Sequence, residues 1–299
     1  MPQVDVNGVS LEYVSEGNRD HETVLLIMGL GTQLTGWPDE FCQHLVDLGY
    51  HVLRFDNRDI GLSSRMDHHG APNIPALVLR KALRLPVRVG YELTDMAEDA
   101  VALLDALDIP AAHVVGASMG GMIAQLMAAT YPDRVLSLSS IMSTTGHRSL
   151  PRGEREAMKA LMLKPDDPDD MESVLERNTR VRKALQSRSY PKDDAEVRAT
   201  ASAALQRGGY NPEGVSRQLA AIIAAPDRRR LLSQVSQPSL VIHGDEDPLI
   251  KVECAIDTAE HLPAAELLVL PGMAHDFPTH LLERIARAIH NTAQRVSMP

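Results

Sequence analysis

His113-Val-Val-Gly-Ala-Ser-Met-Gly-Gly-Met-Ile-Ala-Gln-Leu126 runs from a β-branched apolar segment through a glycine-rich turn into an apolar stretch with no helix breaker beyond the turn. Gly116-Ala-Ser118-Met-Gly120 within it has the G-x-S-x-G form of a serine carried on a sharp strand-to-helix turn. A serine hydroxyl is a poor nucleophile unless it is exposed beside a base, and such a turn exposes it. Glycines at 116 and 120 free the turn of side-chain clashes, and the following helix N-terminus favours developing negative charge. Two other readings compete. One is a tight βα turn with an incidental serine. The other is a phosphate-binding glycine turn, because Gly116, Gly120 and Gly121 have a loosely similar spacing. That second motif belongs in the first βα unit, whereas this one lies deep in the chain, and no Tyr-x-x-x-Lys accompanies it.

Outward from this turn, short apolar runs alternate with helical periods. The runs are Thr23–Met28, Val52–Phe55, Ala112–Val115, Val135–Ile141, Leu240–His243 and Glu266–Leu270. They read as strands buried on both faces of a parallel sheet covered by helices. Between them, Pro38 suits a first helical turn, and Leu93-Thr-Asp95 precedes the helical repeat Met96, Ala100, Leu103, Leu104, Leu107. Residues 3–14 read as a β-hairpin around Asn7-Gly8, a dipeptide suited to positive φ. The expectation is an α/β fold, a mostly parallel central sheet with an N-terminal β-hairpin and helices on both faces.

The strand pattern stops after Ile141 and resumes near Ser239, with charged helical stretches broken by Pro165, Pro168, Pro191 and Pro212 between them. Residues 143–232 therefore read as an inserted helical cap, dividing the core into 1–142 and 233–299. Within the insertion, Lys164-Pro-Asp-Asp-Pro-Asp-Asp170 lacks the glycine and distal glutamate of an EF-hand and reads as a solvated loop capping the next helix.

The chain as a whole sets further bounds. Its 299 residues are enough for a substantial core. Lys and Arg number 30 against 40 Asp and Glu, a net charge of -10 that repels phosphate backbones and anionic membrane surfaces. Nucleic acid is not an expected partner. No apolar run approaches the ~18 residues of a membrane span, and no basic segment followed by an apolar one opens the chain, so a soluble, cytoplasmic protein is expected. Cys42 and Cys254 have neither disulfide nor metal-ligand spacing.

A nucleophilic serine needs a base and an orienting acid. Leu240-Val-Ile-His-Gly244 is followed by Asp245-Glu-Asp247-Pro, and Leu267-Leu-Val-Leu-Pro-Gly272 by Met273-Ala-His275-Asp-Phe-Pro278. Each group sits just past the carboxyl end of an expected strand, the edge where sites assemble in open parallel sheets. Of the twelve histidines, His51, His113 and His243 lie on strands and read as structural. His68-His69 lacks a ligand cluster, His21 and His44 precede the serine, and His147 and His261 come before the last strand. His280 and His290 fall on a terminal helix, which leaves His275 in both the right order and the right loop. Asp245 and Asp247 both remain candidates for the acid, since triad logic requires only a buried carboxylate. Ser137–Thr145, the other place for an acid in such a sheet, contains none. Acyl transfer also needs two preorganised backbone donors for its oxyanion, and the N–H of Met119 is one.

These motifs together resemble the α/β-hydrolase superfamily over essentially the whole core. Arg54-Phe-Asp-Asn-Arg-Asp-Ile-Gly-Leu-Ser63 is similar to that family's Asp-x-Arg-Gly-x-Gly-x-Ser turn, with Asp59 in place of a glycine. Gly36-Trp-Pro-Asp-Glu-Phe41 and the Asn57-Arg-Asp form of that turn look like the aclacinomycin methylesterase branch. The family pattern Gly-x-x-Asp implies Asp247 as the acid. Met28-Gly-Leu-Gly31 occupies the place of the family's His-Gly turn and implies Leu30 N–H as the second oxyanion donor. Met28 departs from the usual histidine, but the donor is a backbone group. Trp37 reads as packing under the next helix.

The resemblance implies a cofactor-free carboxylic ester hydrolase acting on a small-molecule ester through Ser118, His275 and Asp247, with no metal. Ser118 argues against epoxide hydrolases and haloalkane dehalogenases, which place aspartate there. Carbon–carbon hydrolases and cofactor-free haloperoxidases share the serine triad. A non-catalytic receptor on the same fold usually loses triad members. The cap is expected to shape the pocket, with Met158, Leu161, Met162, Ile222 and Ile223 as wall candidates, and Pro72–Tyr91 as part of an entrance.

Overall fold

A computed structural model describes residues 2–263 and 265–297. Met1, Ala264, Met298 and Pro299, which the expected core segments include, lie outside the described residues. In chain order the elements are β1 (Gln3–Val6), β2 (Val9–Glu16), β3 (Thr23–Ile27), α1 (Asp39–Asp47), β4 (His51–Phe55), α2 (Ile74–Ala82) and α3 (Leu93–Ala106). Then follow β5 (Ala112–Ala117), α4 (Met119–Thr130) and β6 (Val135–Ile141). A helical insertion comes next: α5 (Arg155–Leu161), α6 (Met171–Leu185), α7 (Asp194–Gly208), α8 (Pro212–Ala224) and α9 (Arg229–Leu232). The chain closes with β7 (Ser239–Gly244), α10 (Val252–Glu260), β8 (Ala265–Leu270) and α11 (Leu282–Gln294).

The strands form one sheet in the order β1-β2-β4-β3-β5-β6-β7-β8. The pairs β1/β2 and β2/β4 are antiparallel, and every pair from β4/β3 to β7/β8 is parallel. The hairpin turns as its sequence requires: Asn7 and Gly8 have φ of 48° and 76°, and Val6 pairs with Val9. Alternating side chains of the central strands enter two separate cores. Leu25 and Ile27 of β3 and Val114 of β5 pack with α3 and α4. Val24 and Leu26 of β3 and Val115 of β5 pack with α1 and α11. Such strands read as unbroken apolar runs because neither face meets water.

β8 departs from the expectation of burial on both faces: Glu266 and Leu267 are exposed. It is the sheet's last strand, so helices cover it incompletely, and Arg295 pairs with Glu266 at 2.9 Å. No helix among the described residues is long and apolar enough to cross a membrane.

The insertion is bound to the core by buried charge. Asp59, which breaks the family glycine pattern, adopts φ of 73° and is fully buried. Its carboxylate accepts from Arg217 Nη2 at 2.7 Å and Nε at 2.9 Å, a bidentate pair reaching from the loop after β4 to α8. Tyr91 Oη donates to it at 2.8 Å and Met66 N–H at 2.8 Å. Burial by itself would raise this carboxyl, but these donors outweigh burial and hold it below its ordinary value. Its contribution to stability is therefore present above the ordinary carboxyl value of 3.8 and is lost as pH falls through the lower folded-state value. Breaking a buried pair by removing one partner is costly, so Asp59→Asn is expected to lose about 3 kcal/mol in urea unfolding at neutral pH. Adding Arg217→Met to that variant should recover a large part of the loss.

Candidate active site

Gly116 precedes the half-buried Ser118 at a point where a Cβ would lie 2.1 Å from Gly120 O, and a Cβ on Gly120 would lie 2.0 Å from Ile27 O. Only glycine lets β5, α4 and the end of β3 approach this closely. Ser118 sits between them as the N-cap of α4 with φ 56° and ψ −118°. Its N–H donates to Ile141 O at 2.9 Å and its carbonyl accepts from Ser143 Oγ at 2.8 Å. Bonds on both sides of the residue hold this sparsely populated conformation in place.

His275 Nε2 lies 3.1 Å from Ser118 Oγ, and His275 Nδ1 lies 2.7 Å from Asp247 Oδ2. A carboxylate can only accept, so Nδ1 carries a proton that it donates to Asp247, and Nε2 faces the serine hydroxyl. Asp247 is buried, and its Oδ1 accepts the N–H groups of Leu249 at 2.8 Å and Ile250 at 2.9 Å. Asp245 is exposed and instead caps the turn after β8, accepting from Gly272 N–H at 2.7 Å. The two carboxylates, ambiguous in sequence, thus occupy different environments. Burial alone would raise the Asp247 carboxyl, but the charge and hydrogen bonds of His275 and His243 hold it well below the usual range.

His243 does more than its strand position suggested. Its Nε2 donates to Ile250 O at 2.7 Å and stands 3.4 Å from Asp247 Oδ2. The aspartate lies between two imidazoles. The four-residue spacing of His243 and Asp247 around the strand end was the one sequence signal for this.

The turn after β3 lies against Ser118: a Cβ on Gly29 would be 3.0 Å from Ser118 Cβ. Four of its polar groups are occupied. Asn57 Nδ2 donates to Met28 O at 3.0 Å, Thr32 N–H to Gly29 O at 3.2 Å, and Thr32 Oγ1 to Leu30 O at 3.2 Å. Gly31 N–H donates to Gln218 Oε1 at 2.9 Å. Leu30 N–H has no acceptor among the described residues. Met119 N–H belongs to the first turn of α4, where no intrahelical acceptor exists.

The histidine loop is braced from two sides. Trp37, Phe41 and Phe277 stack with centroids 5.1 to 6.2 Å apart beneath it. From the insertion, Leu185 O accepts His275 N–H at 3.1 Å, and Ser187 Oγ accepts Ala274 N–H at 2.8 Å while donating to Asp276 Oδ1. Nothing in the residues 185–187 marks them in sequence. Met158 and Met162 are exposed, so they wall no enclosed space, whereas Ile222 packs against the core. Asp170 caps α6, accepting from Glu172 N–H at 3.1 Å and Ser173 N–H at 3.3 Å. Burial pushes the Cys42 thiol up to about 12 and also raises Cys254, so neither supplies a thiolate.

The short Nδ1–H to Asp247 bond is expected to give a far-downfield imidazole proton in the NMR spectrum. Asp247→Ala should abolish that resonance, and Asp245→Ala should leave it in place.

The family described as alpha/beta hydrolase fold matches residues 22–278. A rhodomycin D methylesterase of Streptomyces sp. (strain C5) is 30% identical over 285 residues, covering 89% of each chain. A rhodomycin D methylesterase of Streptomyces peucetius is 29% identical over 310 residues and 97% of each chain. Among solved structures, a meta-cleavage product hydrolase from Pseudomonas fluorescens aligns with a TM-score of 0.76 at 20% identity, over 99% of this chain and 98% of that one, a likeness of fold.

Proposed function

The chain belongs to the α/β-hydrolase fold family, and from that membership we propose that it is a carboxylic ester hydrolase with Ser118 as nucleophile, His275 as general base and acid, and Asp247 as the orienting acid. The observation that carries this reading is the continuous hydrogen-bonded chain from Ser118 Oγ through His275 to Asp247, at 3.1 and 2.7 Å. The two rhodomycin D methylesterases support an ester, and among esters a methyl ester, as the bond broken.

Ser118 Oγ attacks the ester carbonyl as its proton passes to His275 Nε2. The negative oxygen of the tetrahedral adduct is held by Leu30 N–H and Met119 N–H, donors aimed before the charge develops. Collapse of the adduct breaks the bond to the alcohol oxygen, which takes the proton from Nε2 and leaves an acyl-serine. Water then gives a proton to Nε2 and attacks the acyl carbon. The second adduct expels Ser118 Oγ, which is reprotonated, and the carboxylic acid departs. Asp247 stays ionised throughout, holding Nδ1–H and stabilising the transient imidazolium. The helical insertion, residues 143–232, acts as the cap that selects the substrate.

Ser118→Ala is expected to lower kcat by on the order of 10⁴-fold or more and to abolish fluorophosphonate labelling. Full esterase activity in that variant would refute the assignment. Because the Asp247 carboxyl lies well below the usual range, its protonation comes too far into acid to limit the rate. The acid side of a kcat/KM profile should therefore show no inflection from this carboxylate in the ordinary carboxylic-acid range.

A further inference from the structure

Helix α8 of the insertion reaches the turn that carries Leu30. Gln218 on that helix is fully buried, and its side-chain amide bridges two core loops. Oε1 accepts Gly31 N–H at 2.9 Å, and Nε2 donates to Arg58 O at 2.8 Å. One turn earlier on the same helix, Val215 covers Gly31 so closely that a Cβ there would lie 3.2 Å from a valine methyl. Gly31 itself has φ of 65°, a conformation that reverses the chain and that glycine tolerates.

The peptide groups of this turn can be followed one by one. The carbonyl of the 28–29 peptide is held by Asn57, and that of the 29–30 peptide by Thr32 N–H. The 30–31 peptide is held at both ends, its carbonyl by Thr32 Oγ1 and its N–H by Gln218. The N–H groups of Gly29 and Leu30 have no acceptor among the described residues. With the planes on either side of Leu30 fixed, the direction of the Leu30 donor is fixed as well.

We infer that Gln218 is a positioning residue for the oxyanion turn, so that seating of α8 on the core completes the donor geometry beside Ser118. The inference rests on Ser118 and Leu30 acting as proposed. Arg217, the adjacent residue, anchors the helix through its bidentate pair with Asp59, while Asn211 Nδ2 ties the helix start to Asp59 O at 2.8 Å. The insertion would thereby contribute to transition-state stabilisation without touching the reacting atoms.

The test uses the full-length protein and three variants: Gln218→Leu, which keeps size and removes both bonds, Gln218→Glu, which keeps an acceptor for Gly31, and Ser118→Ala. The readouts are the rate of fluorophosphonate labelling mapped to position 118, kcat and KM on a chromogenic ester, affinity for a trifluoromethyl ketone, and thermal unfolding. In Gln218→Leu, kcat, labelling rate and ketone affinity are expected to fall together by about 10- to 100-fold, with KM within about twofold, because a small misplacement of one donor costs that much. Gln218→Glu should recover part of the loss. The pH profile should keep the shape of the wild type, since the histidine is untouched. Wild-type labelling and turnover rates in well-folded Gln218→Leu would overturn the inference and leave the Ser118 reading intact. A loss confined to KM would overturn it too, marking Gln218 as a substrate contact. Absence of labelling at Ser118 in the wild type, or equal labelling in Ser118→Ala, would overturn that reading and the inference with it.

Discussion

The close approach of Gly120 to the carbonyl of Ile27 is the constraint on which the site depends. With no side chain between them, the end of β3 and the first turn of α4 come into direct contact, and a Cβ there would lie 2.0 Å from that oxygen. The contact sets the Met28–Gly31 turn beside Ser118. Ser118, between these two segments, has a positive φ of 56°, and its hydroxyl meets His275 Nε2 at 3.1 Å. The parallel arrangement of β5, β6, β7 and β8 then delivers the loops of Asp247 and His275 to the same edge.

Around that constraint, stabilisation and chemistry share residues. Asp56, first of the turn after β4, accepts Leu34 N–H at 2.7 Å and Leu62 N–H at 3.0 Å and pairs with Arg207 of α7 at 2.7 Å. One position on, Asn57 holds Met28 O, and Asp59 receives Arg217 of α8. A single loop thus joins the Met28–Gly31 turn, the core and the insertion. The histidine loop receives comparable support from Leu185, the last residue of α6, and from Ser187 just past it. Because interiors are densely packed and buried polar groups require partners, displacement of either segment is transmitted to the groups it holds.

Asp59 illustrates what a departure from a family pattern can signify. Placing a non-glycine residue at φ of 73° is unfavourable. Here the carboxylate gained at that position meets a guanidinium, a phenol and a backbone N–H, all buried. Local strain is offset by charge-assisted bonds that also seat α8.

Much of the fold was legible in the residues themselves. Six apolar runs marked the parallel strands, Asn7-Gly8 marked the hairpin, and the loss of strand pattern after Ile141 marked the helical insertion. Ser118 was legible because a sharp turn is governed by sterics among neighbours in the chain, and His275 because strand-end order left few competitors. Between Asp245 and Asp247 the residues alone did not decide; burial and two backbone N–H bonds distinguish them in the structure. The exposure of β8 was hidden because an edge strand and a central one can carry the same apolar run. Gln218, Ser187 and the role of Asp59 were hidden for a related reason. Their partners lie 187, 87 and 158 residues away. Short-range sterics and periodicity are written along the chain, whereas a buried amide or carboxylate acquires its partner only when distant segments pack together, and that pairing is decided by the tertiary structure.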